Sequence, residues 1–523
     1  MIKQIKLNNI RYFSIVVFFL VLPIISCAEI SNSSNSPMAT SATTVKITVD
    51  PSKVLHKTNP LILGNNIQWV DRADGLLDPS SGEFKQDVID KLKYIKITAL
   101  RFPGGTLSDV YHWKETIGPV SQRKKGLHVE RKAGEDSFFG VDEFLKLSKI
   151  FGSEPLITVN TFTGTADEAA EWVNYANKTQ AARVKYWEIG NEPYLDPPDK
   201  SPKNPNYPEI FAKKFIEFAT RMKLVDPSIQ VGLPLRSDLL GRYPGGAYQN
   251  WNKRVLSICG QYADFVALHD AYFPTIFKQE EFQEPGSFQT LLAAPEEVDR
   301  DIREVKQMLS SMFPSKTIKI AITEHNNFFA VPGMDVSKST ASLAGGLYTA
   351  SLLTHFFKDD SILMANFWSL TGNWLFGALN QKDRPRPQFY ALKIFSDFVG
   401  ENVIDLAIQN NLSFNSPAAG YMPQETGVPI IEVLATTSGK SVFIIVINKS
   451  LNQNIPLSVA LSNFQICSGV PIDGVVMSGA SIKSDNEQGD TVGIMPIKFQ
   501  TAADLTRLVI PRHSVIAFRV DGA

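Results

Sequence analysis

A regular alternation of strand-like and helix-like runs constrains this chain more than any other feature. Eight apolar strand-like runs, each followed by a helical pattern, lie between Leu61 and Val399. These runs are Leu61–Trp69, Ile95–Phe102, Pro155–Phe162, Val184–Gly190, Gln230–Pro234, Phe265–Ala271, Ile318–Glu324 and Ile362–Ser369. Continuous apolar runs are typical of parallel strands that are buried on both faces. The pattern therefore predicts an α/β fold, a (β/α)8 TIM barrel, over residues 59–399.

The helices of this barrel follow from local signals. The first is predicted to begin at Ser80, because Ser80-x-x-Glu83 has the form of a capping box. The others are predicted at Asp142–Ile150, Ala166–Asn177, Ile210–Leu224, Trp251–Tyr262, Pro295–Phe313, Ala341–Phe357 and Phe389–Val399. An open, doubly wound sheet is the alternative, but no Gly-x-Gly-x-x-Gly motif follows the first strand. Gly345-Gly346 lies inside an apolar helix, where we expect it to allow close packing.

After Val399 the pattern changes to alternating, β-rich segments separated by Gly, Asn, Ser and Pro. The predicted strands are Val428–Thr436, Ser441–Asn448, Ile455–Leu461, Gly474–Met477, Val492–Phe499 and Leu508–Val520. No helix is predicted here. Residues 400–523 are therefore expected to form an antiparallel β-sandwich. The segment 45–58 contains a further strand, Val45–Val49, which is expected to add an edge to this sandwich.

The N-terminus has the features of a targeting segment. Lys3, Lys6 and Arg11 precede an apolar stretch from Tyr12 to Ile25, which is shorter than the ~20 residues of a spanning helix. Ser26-Cys27 then resembles the lipobox of bacterial lipoproteins. We predict that residues 1–27 are a lipoprotein signal peptide, that Cys27 is acylated and that residues 28–44 are a flexible linker. An ordinary signal peptide is the alternative.

Both interpretations predict export, and the first predicts lipid anchoring in the bacterial cell envelope, in the periplasm or at the outer membrane. The net charge of −1 over 523 residues gives no reason to expect a nucleic acid or an anionic membrane surface as partner. The lipid anchor would thus be the only membrane contact. Beyond Cys27 the chain has only Cys259 and Cys467, which fall in different predicted domains, so neither a disulfide framework nor a cysteine zinc site is expected.

Functional residues of such barrels lie at the C-terminal ends of the strands. The fourth strand ends in Gly190-Asn191-Glu192-Pro193, and the seventh ends at Glu324. Because side chains alternate along a strand, Ile318, Ile320, Ile322 and Glu324 are expected to share one face, directed into the barrel. A surface turn is the alternative for the segment around Glu192, but the neighbouring Trp187 and Ile189 argue against exposure.

Two carboxylates across a barrel mouth are what glycoside hydrolysis requires: one protonates the leaving oxygen, and the other attacks or activates water. Arg101, at the end of the second strand, is the nearest predicted cation, and a cation stabilises the charged form of a carboxylate. We therefore expect Glu324 to be the ionised nucleophile and Glu192 the acid. The alternative for Arg101 is that it only neutralises Glu188.

Other polar and aromatic residues at strand ends are expected to bind the sugar. They are Trp69, Arg101, Asn160, Asn191, His269, Tyr272, Trp368 and Trp374. His325, beside Glu324, raises the question of a metal. However, no His-x-x-x-His or similar ligand spacing occurs among the seven histidines, so neither a metal nor another cofactor is predicted. The expected partner is a poly- or oligosaccharide substrate.

Several of these motifs resemble the family 51 α-L-arabinofuranosidases, over about Gly64 to Gly400. They are Leu100-Arg101-Phe102-Pro103-Gly104-Gly105, then Trp113-Lys114-x-x-Ile117-Gly118-Pro119 with Arg123, then Val159-Asn160 followed by Ala169-x-x-Trp172-Val173-x-Tyr175-x-Asn177, then Lys185–Glu192, and Leu268-His269 with Tyr272. The resemblance implies clan A of the glycoside hydrolases and a retaining double displacement. It implies Glu192 as acid/base, Glu324 as nucleophile, Asn191 as the residue that holds the sugar 2-hydroxyl, and Tyr272 as the residue that orients the nucleophile.

The sequence also departs from that family. Pro193 is more typical of the wider clan, and Thr323-Glu324-His325-Asn326 lacks the tryptophan expected soon after the nucleophile. His269 and Tyr272 are also spaced more widely than usual. The alternatives are therefore another retaining enzyme of the clan, such as an endoglucanase, xylanase or β-xylosidase, or a surface glycan-binding lipoprotein without catalysis.

Overall fold

Eight parallel strands close into a barrel in the computed structural model, which describes residues 44–125, 136–195, 204–237, 248–269, 272–372, 375–467 and 469–523. In order around the barrel these strands are β2 (Gly64–Asn66), β3 (Ala99–Phe102), β4 (Glu154–Val159), β5 (Tyr186–Ile189), β6 (Gln230–Pro234), β7 (Phe265–His269), β9 (Lys319–His325) and β11 (Ile362–Phe367). Each lies within or beside a predicted run, and the predicted TIM barrel is confirmed.

Helices surround the barrel. The described helices are α1 (Asp71–Gly75), α2 (Gln86–Lys93), α3 (Val141–Phe151), α4 (Ala166–Asn174), α5 (Tyr207–Val225), α6 (Trp251–Cys259), α7 (Gly286–Met312), α8 (Val336–Thr340), α9 (Leu343–Lys358) and α10 (Pro387–Phe398). The predicted start at Ser80 is wrong, because α2 begins at Gln86. The Ser80 hydroxyl and backbone N–H instead donate to the Asp78 carboxylate, which closes a turn before the helix.

The inside of the barrel is filled by side chains from alternate strand positions. Leu156, Tyr186, Phe265, Ala321 and Met364 come from five strands and form one buried cluster. Neighbouring residues on the same strands, such as Ile157, Trp187 and Ile320, belong instead to the large core between strands and helices. This alternation directs the next inward positions toward the C-terminal mouth.

A nine-stranded, mostly antiparallel sheet forms the second part of the fold. Its order is β19 (Gly493–Phe499), β18 (Ile472–Ser478), β21 (Ser514–Asp521), β16 (Ser441–Asn448), β15 (Ile431–Ser438), β12 (Asn402–Gln409), β1 (Val45–Lys57), β17 (Ile455–Leu461) and β20 (Leu508–Ile510). The predicted antiparallel sandwich is confirmed. The strand β12 was not predicted, and neither was the short pair of β13 (Ser413–Ser416) with β14 (Glu425–Pro429).

The sequence suggested that the N-terminal strand β1 adds an edge to the sheet, but β1 does not lie at an edge. It pairs antiparallel with β12 and parallel with β17, so it lies inside the sheet. Val45, Ile47 and Val49 are buried in the sheet's own core. Because an interior strand needs partners on both sides, the sheet is completed only when β1 meets strands that follow the barrel in the chain.

The sheet packs one face against the barrel helices. Val433 and Ala435 belong to the core of the sheet, whereas Leu434 between them belongs to the core that includes α9 and α10. In α9, an added Cβ on Gly345 would lie 2.3 Å from the Thr340 carbonyl oxygen and 2.4 Å from Nε2 of Gln388. The glycine thus permits the close approach that was predicted for this helix.

The described residues from 44 onward form one compact unit. A last two-stranded pairing joins β8 (Phe273–Ile276) to β10 (Asn327–Phe329), next to the barrel mouth. None of the helices in the described ranges has the length and apolar character needed to cross a membrane.

Candidate active site

Arg101 lies at the centre of the polar groups inside the barrel mouth. Its side chain is fully buried, and its Nε donates to Glu188 Oε2 over 2.7 Å. Nη1 donates to Glu324 Oε1 over 2.9 Å, and Nη2 donates to Asn191 Oδ1, also over 2.9 Å. The guanidinium therefore connects the ends of β3, β5 and β9. Arg101 thus pairs with Glu324, as predicted, and also with Glu188, so it does not serve Glu188 alone.

Glu188 is the buried counter-ion beneath the mouth. Besides Arg101, it accepts hydrogen bonds from the hydroxyls of Thr158 (2.7 Å) and Thr323 (2.9 Å). Burial alone would raise the pKa of Glu188, but the charge of Arg101 and the nearby His269 lower it to about 2. Glu188 is thus ionised at neutral pH, and its charge is compensated without contact with solvent.

A β-bulge in β9 directs Glu324 into the mouth. Leu268 of β7 pairs with Ile322, but the next residue, His269, pairs with Glu324, so Thr323 is an extra residue in β9. Ile320 and Ile322 face the helices, whereas Thr323 contacts the inward-facing Glu188. The predicted shared face of the isoleucines and Glu324 is therefore wrong. Glu324 faces inward because the bulge interrupts the alternation.

Glu192 follows a tight turn rather than continuing β5. Gly190 has a φ of 89°, and Glu192 itself has a φ of 43°, in the left-handed region. A side chain on Gly190 would place Cβ 2.6 Å from the Thr161 hydroxyl, so only glycine fits there. The turn brings the Glu192 carboxylate to 3.0 Å from Nδ1 of His269. Its side chain is 18% exposed and is thus accessible from the mouth.

His269 lies between the two predicted catalytic groups. Its Nδ1 is 3.0 Å from Glu192 Oε1 and 3.7 Å from Glu324 Oε1. Burial lowers the pKa of His269, but the charges of Glu324 and Glu192 raise it to about 10. Because both carboxylate oxygens approach the same His269 nitrogen, they lie within ~7 Å of each other. Carboxyl groups are ~6.5–9.5 Å apart in inverting glycosidases and ~5–5.5 Å apart in retaining ones, so this bound excludes most of the inverting range and admits the retaining one.

Tyr272 and Asn191 complete the surroundings of Glu324. The Tyr272 hydroxyl donates to Glu324 Oε2 over 2.7 Å, while Arg101 donates to the other oxygen. Burial and the charge of Glu324 raise the pKa of Tyr272 well above its usual value, so the phenol keeps its proton. Nδ2 of Asn191 is buried and has no hydrogen-bond partner among the described residues. It is an unused donor on the amide whose oxygen accepts from Arg101.

Some predicted sugar-binding residues have other surroundings. Trp69 is fully buried and packs on Tyr111 at 5.2 Å between ring centroids. The side-chain amide of Asn160 bonds the neighbouring loops. Its Nδ2 donates to the Thr163 hydroxyl and the Tyr111 carbonyl oxygen, and its Oδ1 accepts from the backbone N–H groups of Phe162 and Thr163. The sugar contacts of these two residues stay predictions.

Trp368 is nearly buried, and its ring covers Gly104 and Gly105 after β3; an added Cβ on Gly105 would lie 2.8 Å from Cη2 of Trp368. The predicted Trp374 and Cys27 lie outside the described residues. His325 is fully buried against Phe356 and Phe367, and burial lowers its pKa to about 3. It is a neutral core residue that faces away from the mouth.

Sequence reasoning missed three groups of the site. Asn66, at the end of β2, accepts from Arg101 over 3.1 Å and donates to the Thr323 carbonyl oxygen. Thr158 and Thr323 bond Glu188, as described above. Asp109, buried in the 3-10 helix Thr106–Val110, lies close to the turn that carries Asn191 and Glu192. Asn66 could have been predicted, because it is a polar residue at the end of a strand. Asp109 could not, because it lies in the segment after β3, whose path the sequence does not reveal.

Outside the mouth, one group of described residues has ligand atoms close enough for an ion: Glu296, His355 and Glu432, where the sheet meets the barrel. The buried ammonium of Lys449 contacts Glu432 and lies 3.7 Å from Glu296. This cation already balances the carboxylates, so we assign no metal to the group.

Comparisons with known proteins agree with this geometry. Residues 91–234 match the model of the alpha-L-arabinofuranosidase 1 domain. Alpha-L-arabinofuranosidase C of Emericella nidulans is 33% identical over 208 residues, which are 35% of this chain and 40% of that protein. The family-model match, residues 91–234, includes β3, β4 and β5, with Arg101 on β3 and Glu192 in the turn after β5. This part of the chain is therefore similar to alpha-L-arabinofuranosidases.

Two further proteins extend this resemblance. The intracellular exo-alpha-(1->5)-L-arabinofuranosidase of Acetivibrio thermocellus is 27% identical over 250 residues, which are 43% of this chain and 48% of that protein. The solved alpha-L-arabinofuranosidase of Thermotoga maritima, in complex with arabinose, superposes with a TM-score of 0.77 at 22% identity, over 91% of this chain and 100% of that one. The chain thus spans less than half of these sequence relatives, while the structural likeness extends over barrel and sheet.

Proposed function

We propose that this protein is a retaining glycoside hydrolase, and specifically an α-L-arabinofuranosidase that acts on plant cell-wall polysaccharide or oligosaccharide. One observation carries the proposal: two carboxylates from the ends of β5 and β9 lie within 3.7 Å of the same histidine nitrogen. The match to the alpha-L-arabinofuranosidase 1 domain supports the choice of sugar.

In the first step, Glu324 would attack the anomeric carbon while Glu192 protonates the leaving oxygen. Arg101 and Tyr272 each donate to one oxygen of Glu324, which fixes the orientation of the carboxylate before attack. The contact with Arg101, at 2.9 Å, places a positive charge beside the carboxylate that would act as the nucleophile. Asn191 would donate its free Nδ2 hydrogens to a sugar hydroxyl next to the reacting carbon.

In the second step, Glu192 would remove a proton from water, which then hydrolyses the glycosyl ester on Glu324. His269, whose Nδ1 lies 3.0 Å from Glu192 Oε1, is the neighbour that would orient this carboxylate toward the water.

An activity panel tests the proposal. Purified enzyme is given aryl arabinofuranoside, aryl xyloside and soluble glucan, and the product anomer is followed by NMR. We expect the arabinofuranoside to be hydrolysed with initial release of the retained anomer. An initially inverted product would contradict the double displacement. Preference for the xyloside or the glucan would replace arabinose as the sugar, and no hydrolysis of any substrate would favour a glycan-binding protein.

We also propose that Cys27 carries a lipid that anchors the protein in the bacterial cell envelope. The basic, apolar and Ser26-Cys27 segments of the N-terminus support this. Cells that express the chain are labelled with a fatty-acid analogue and separated into membrane and soluble fractions. The label and the membrane association should be lost in Cys27→Ser, and membrane association of that variant would contradict the anchor.

A further inference from the structure

A series of aromatic rings in contact leads away from Glu324. Tyr272, whose hydroxyl donates to Glu324 over 2.7 Å, packs its ring on Phe376 with 5.0 Å between the centroids. The ring of Phe376 lies 6.3 Å from that of Phe328, and Phe328 lies 5.2 Å from Phe277. Four rings from separate segments of the chain therefore form one continuous series that begins at the barrel mouth.

The pairing of β8 with β10 brings this series to the surface. Phe329, at the end of β10, is fully buried against Phe282 and Phe288. Since side chains alternate along a strand, Phe328 is directed to the opposite face, where it is half-buried. Phe277 follows β8 directly and is 57% exposed, which makes it the only exposed phenylalanine in the described ranges. Single exposed rings are common, but a contiguous apolar surface of this kind marks a binding site.

The last ring of the series comes from the second part of the fold. Tyr421, between β13 and β14, packs on Phe277 with 6.3 Å between the centroids. Its backbone N–H donates to the carbonyl oxygen of Pro274 in β8 over 2.8 Å. Gly420 has a φ of 58°, and an added Cβ there would lie 2.0 Å from the same oxygen, so only glycine permits this approach. The loop is thus held against β8, which places Tyr421 beside Phe277.

The chemistry of the series fits a neutral sugar chain. The rings of Phe277, Phe328 and Phe376 carry no charge and no hydrogen-bonding group, so they cannot recognise an ionic ligand by pairing. Flat aromatic rings instead pack against the apolar C–H faces of sugar rings. Continuity with Tyr272 decides the occupant, because a chain that lies on the series reaches Glu324. The occupant is therefore the remainder of the substrate whose reacting sugar lies in the barrel mouth.

We propose that Phe277 and Tyr421 form a distal platform, which binds further units of a neutral oligosaccharide that extends from the barrel mouth along Phe376 and Phe328. This inference rests on the proposed glycosidase function. It deepens that function by naming the substrate class, a chain of several sugars rather than a simple glycoside. Because Tyr421 belongs to the loop between β13 and β14, the C-terminal part of the chain takes part in substrate selection.

Substrate length tests the distal platform. In the wild type, kcat/KM should rise with the length of the oligosaccharide, relative to the aryl glycoside of the same sugar. Phe277→Ala should lower kcat/KM for the longest oligosaccharide about three- to tenfold more than for the aryl glycoside, mainly through KM, because it removes binding and not chemistry. Phe277→Tyr retains a ring, so its ratio should stay within about twofold of wild type. Equal effects on both substrates in Phe277→Ala would overturn the proposal.

Tyr421 provides an independent variant from the other part of the fold. Tyr421→Ala should show the same length-dependent loss, whereas Tyr421→Phe keeps the ring and should not. Tyr94→Ala is the matched control: its ring is 62% exposed, but it lies between α2 and β3, at the end of the barrel opposite to the mouth, and its ratio should be that of wild type. A wild-type ratio in Tyr421→Ala, or a loss in Tyr94→Ala as large as in Phe277→Ala, would overturn the distal platform.

Calorimetric titration separates the distal platform from the proposed function. The Glu324→Ala variant is titrated with oligosaccharides of arabinose, xylose and glucose and with the monosaccharides. Adding Phe277→Ala should weaken the binding of the oligosaccharide about three- to tenfold more than that of its monosaccharide. This result would support the platform even if the wild type hydrolysed no glycoside. Hydrolysis by the wild type, together with unchanged or absent oligosaccharide binding in the titrations, would overturn the platform and leave the proposed function intact.

Light scattering tests the other possible occupant of this face, a second copy of the chain. We expect the wild type and Phe277→Ala to have the same mass in solution. An oligomeric wild type and a monomeric Phe277→Ala would show that the exposed ring is covered by another copy, and this would overturn the assignment to sugar.

Discussion

Glu324 is held by two donors, one on each carboxylate oxygen, and this arrangement has chemical consequences at the scale of single residues. Arg101 donates to Oε1 and Tyr272 to Oε2. A carboxylate held in this way cannot rotate freely, so its attacking oxygen keeps one orientation toward the sugar. The same donors would remain in place if the carboxylate were removed.

We predict that Glu324→Ala lowers kcat by roughly 10⁴-fold or more, as for other catalytic nucleophiles. Azide can occupy the space left by the carboxylate, so it should partly restore turnover and give a glycosyl azide of inverted configuration. Glu192→Ala is the matched control, because azide then attacks the intermediate on Glu324 and gives the retained configuration. NMR of the azide products distinguishes the two. Inverted product from Glu192→Ala would exchange the two roles.

Glu188 provides a test of stability at the same scale. Glu188→Gln leaves the buried Arg101 with one carboxylate instead of two, and breaking a buried ion pair costs about 3–5 kcal/mol. Its folded pKa, about 2, lies below the usual 4.5, so the contribution is present above pH 4.5 and is lost as the pH falls toward 2.

Denaturant unfolding between pH 7 and 3 measures this effect. The difference between wild type and Glu188→Gln should be largest at pH 7 and should shrink on acidification. Glu115→Gln, in an exposed pair with Lys124, is the control and should change stability little at any pH. A pH-independent difference for Glu188→Gln would contradict the assignment of its charge.

At this scale the sequence predicts strand-end residues well and their orientation less well. The roles of Glu192 and Glu324 stay predictions, but both side chains lie in the mouth where they were expected. The route of Glu324 into the mouth was not predictable, because alternation alone does not reveal a bulge in β9. Trp69 shows the opposite problem, since aromatic residues at strand ends serve the core as readily as a ligand.

At the scale of elements, helix α9 is closely packed against its neighbours. Gly345 and Gly346 face neighbours that leave no room for a side chain. The apolar character of the helix indicated burial, and the structure adds which neighbours demand the glycines. Helix starts were harder to predict, as Ser80 shows, because a Ser-x-x-Glu pattern also fits a turn that is closed by Asp78.

We predict that Gly345→Ala destabilises the protein by about 1–3 kcal/mol, because its Cβ would contact the Thr340 carbonyl oxygen and Gln388. Gly489→Ala is the control, since an added Cβ there has no neighbour within 4 Å. Thermal unfolding of both variants measures the effect. Equal melting temperatures would show that α9 can shift to accept the methyl group.

At the scale of the whole molecule, a buried charged group links the sheet to the barrel. Lys449, fully buried, contacts Glu432 of β15, which also accepts from the Ser351 hydroxyl of α9 over 2.6 Å. Burial alone would raise the pKa of Glu432, but Lys449 and His355 lower it. Glu432 therefore keeps its charge inside the interface.

We predict that Lys449→Met destabilises the protein by about 3–5 kcal/mol, because it leaves the buried Glu432 without its cation. Adding Glu432→Leu removes the unpaired charge and should recover most of that loss. Denaturant unfolding of the single and double variants gives the comparison. A double variant as unstable as Lys449→Met would show that packing, and not charge, is what Lys449 contributes.

The two-part architecture of barrel and sheet was predictable from periodicity, because a barrel and a sandwich have different repeats. The position of β1 was not, since pairing between strands so distant in sequence leaves no local pattern. The charged group around Lys449 was not predicted for the same reason: its members come from separate elements of the chain.

The interior position of β1 has a consequence for how the chain matures. Residues 45–57 are synthesised before the barrel, yet their neighbours at 402–409 and 455–461 emerge from the ribosome only after the whole barrel. The strand must remain unpaired during that interval, with the apolar side chains of Val45, Ile47 and Val49 uncovered. Chaperones that act on nascent or translocating chains would meet this segment first, and the closing of the sheet around it would mark the end of folding.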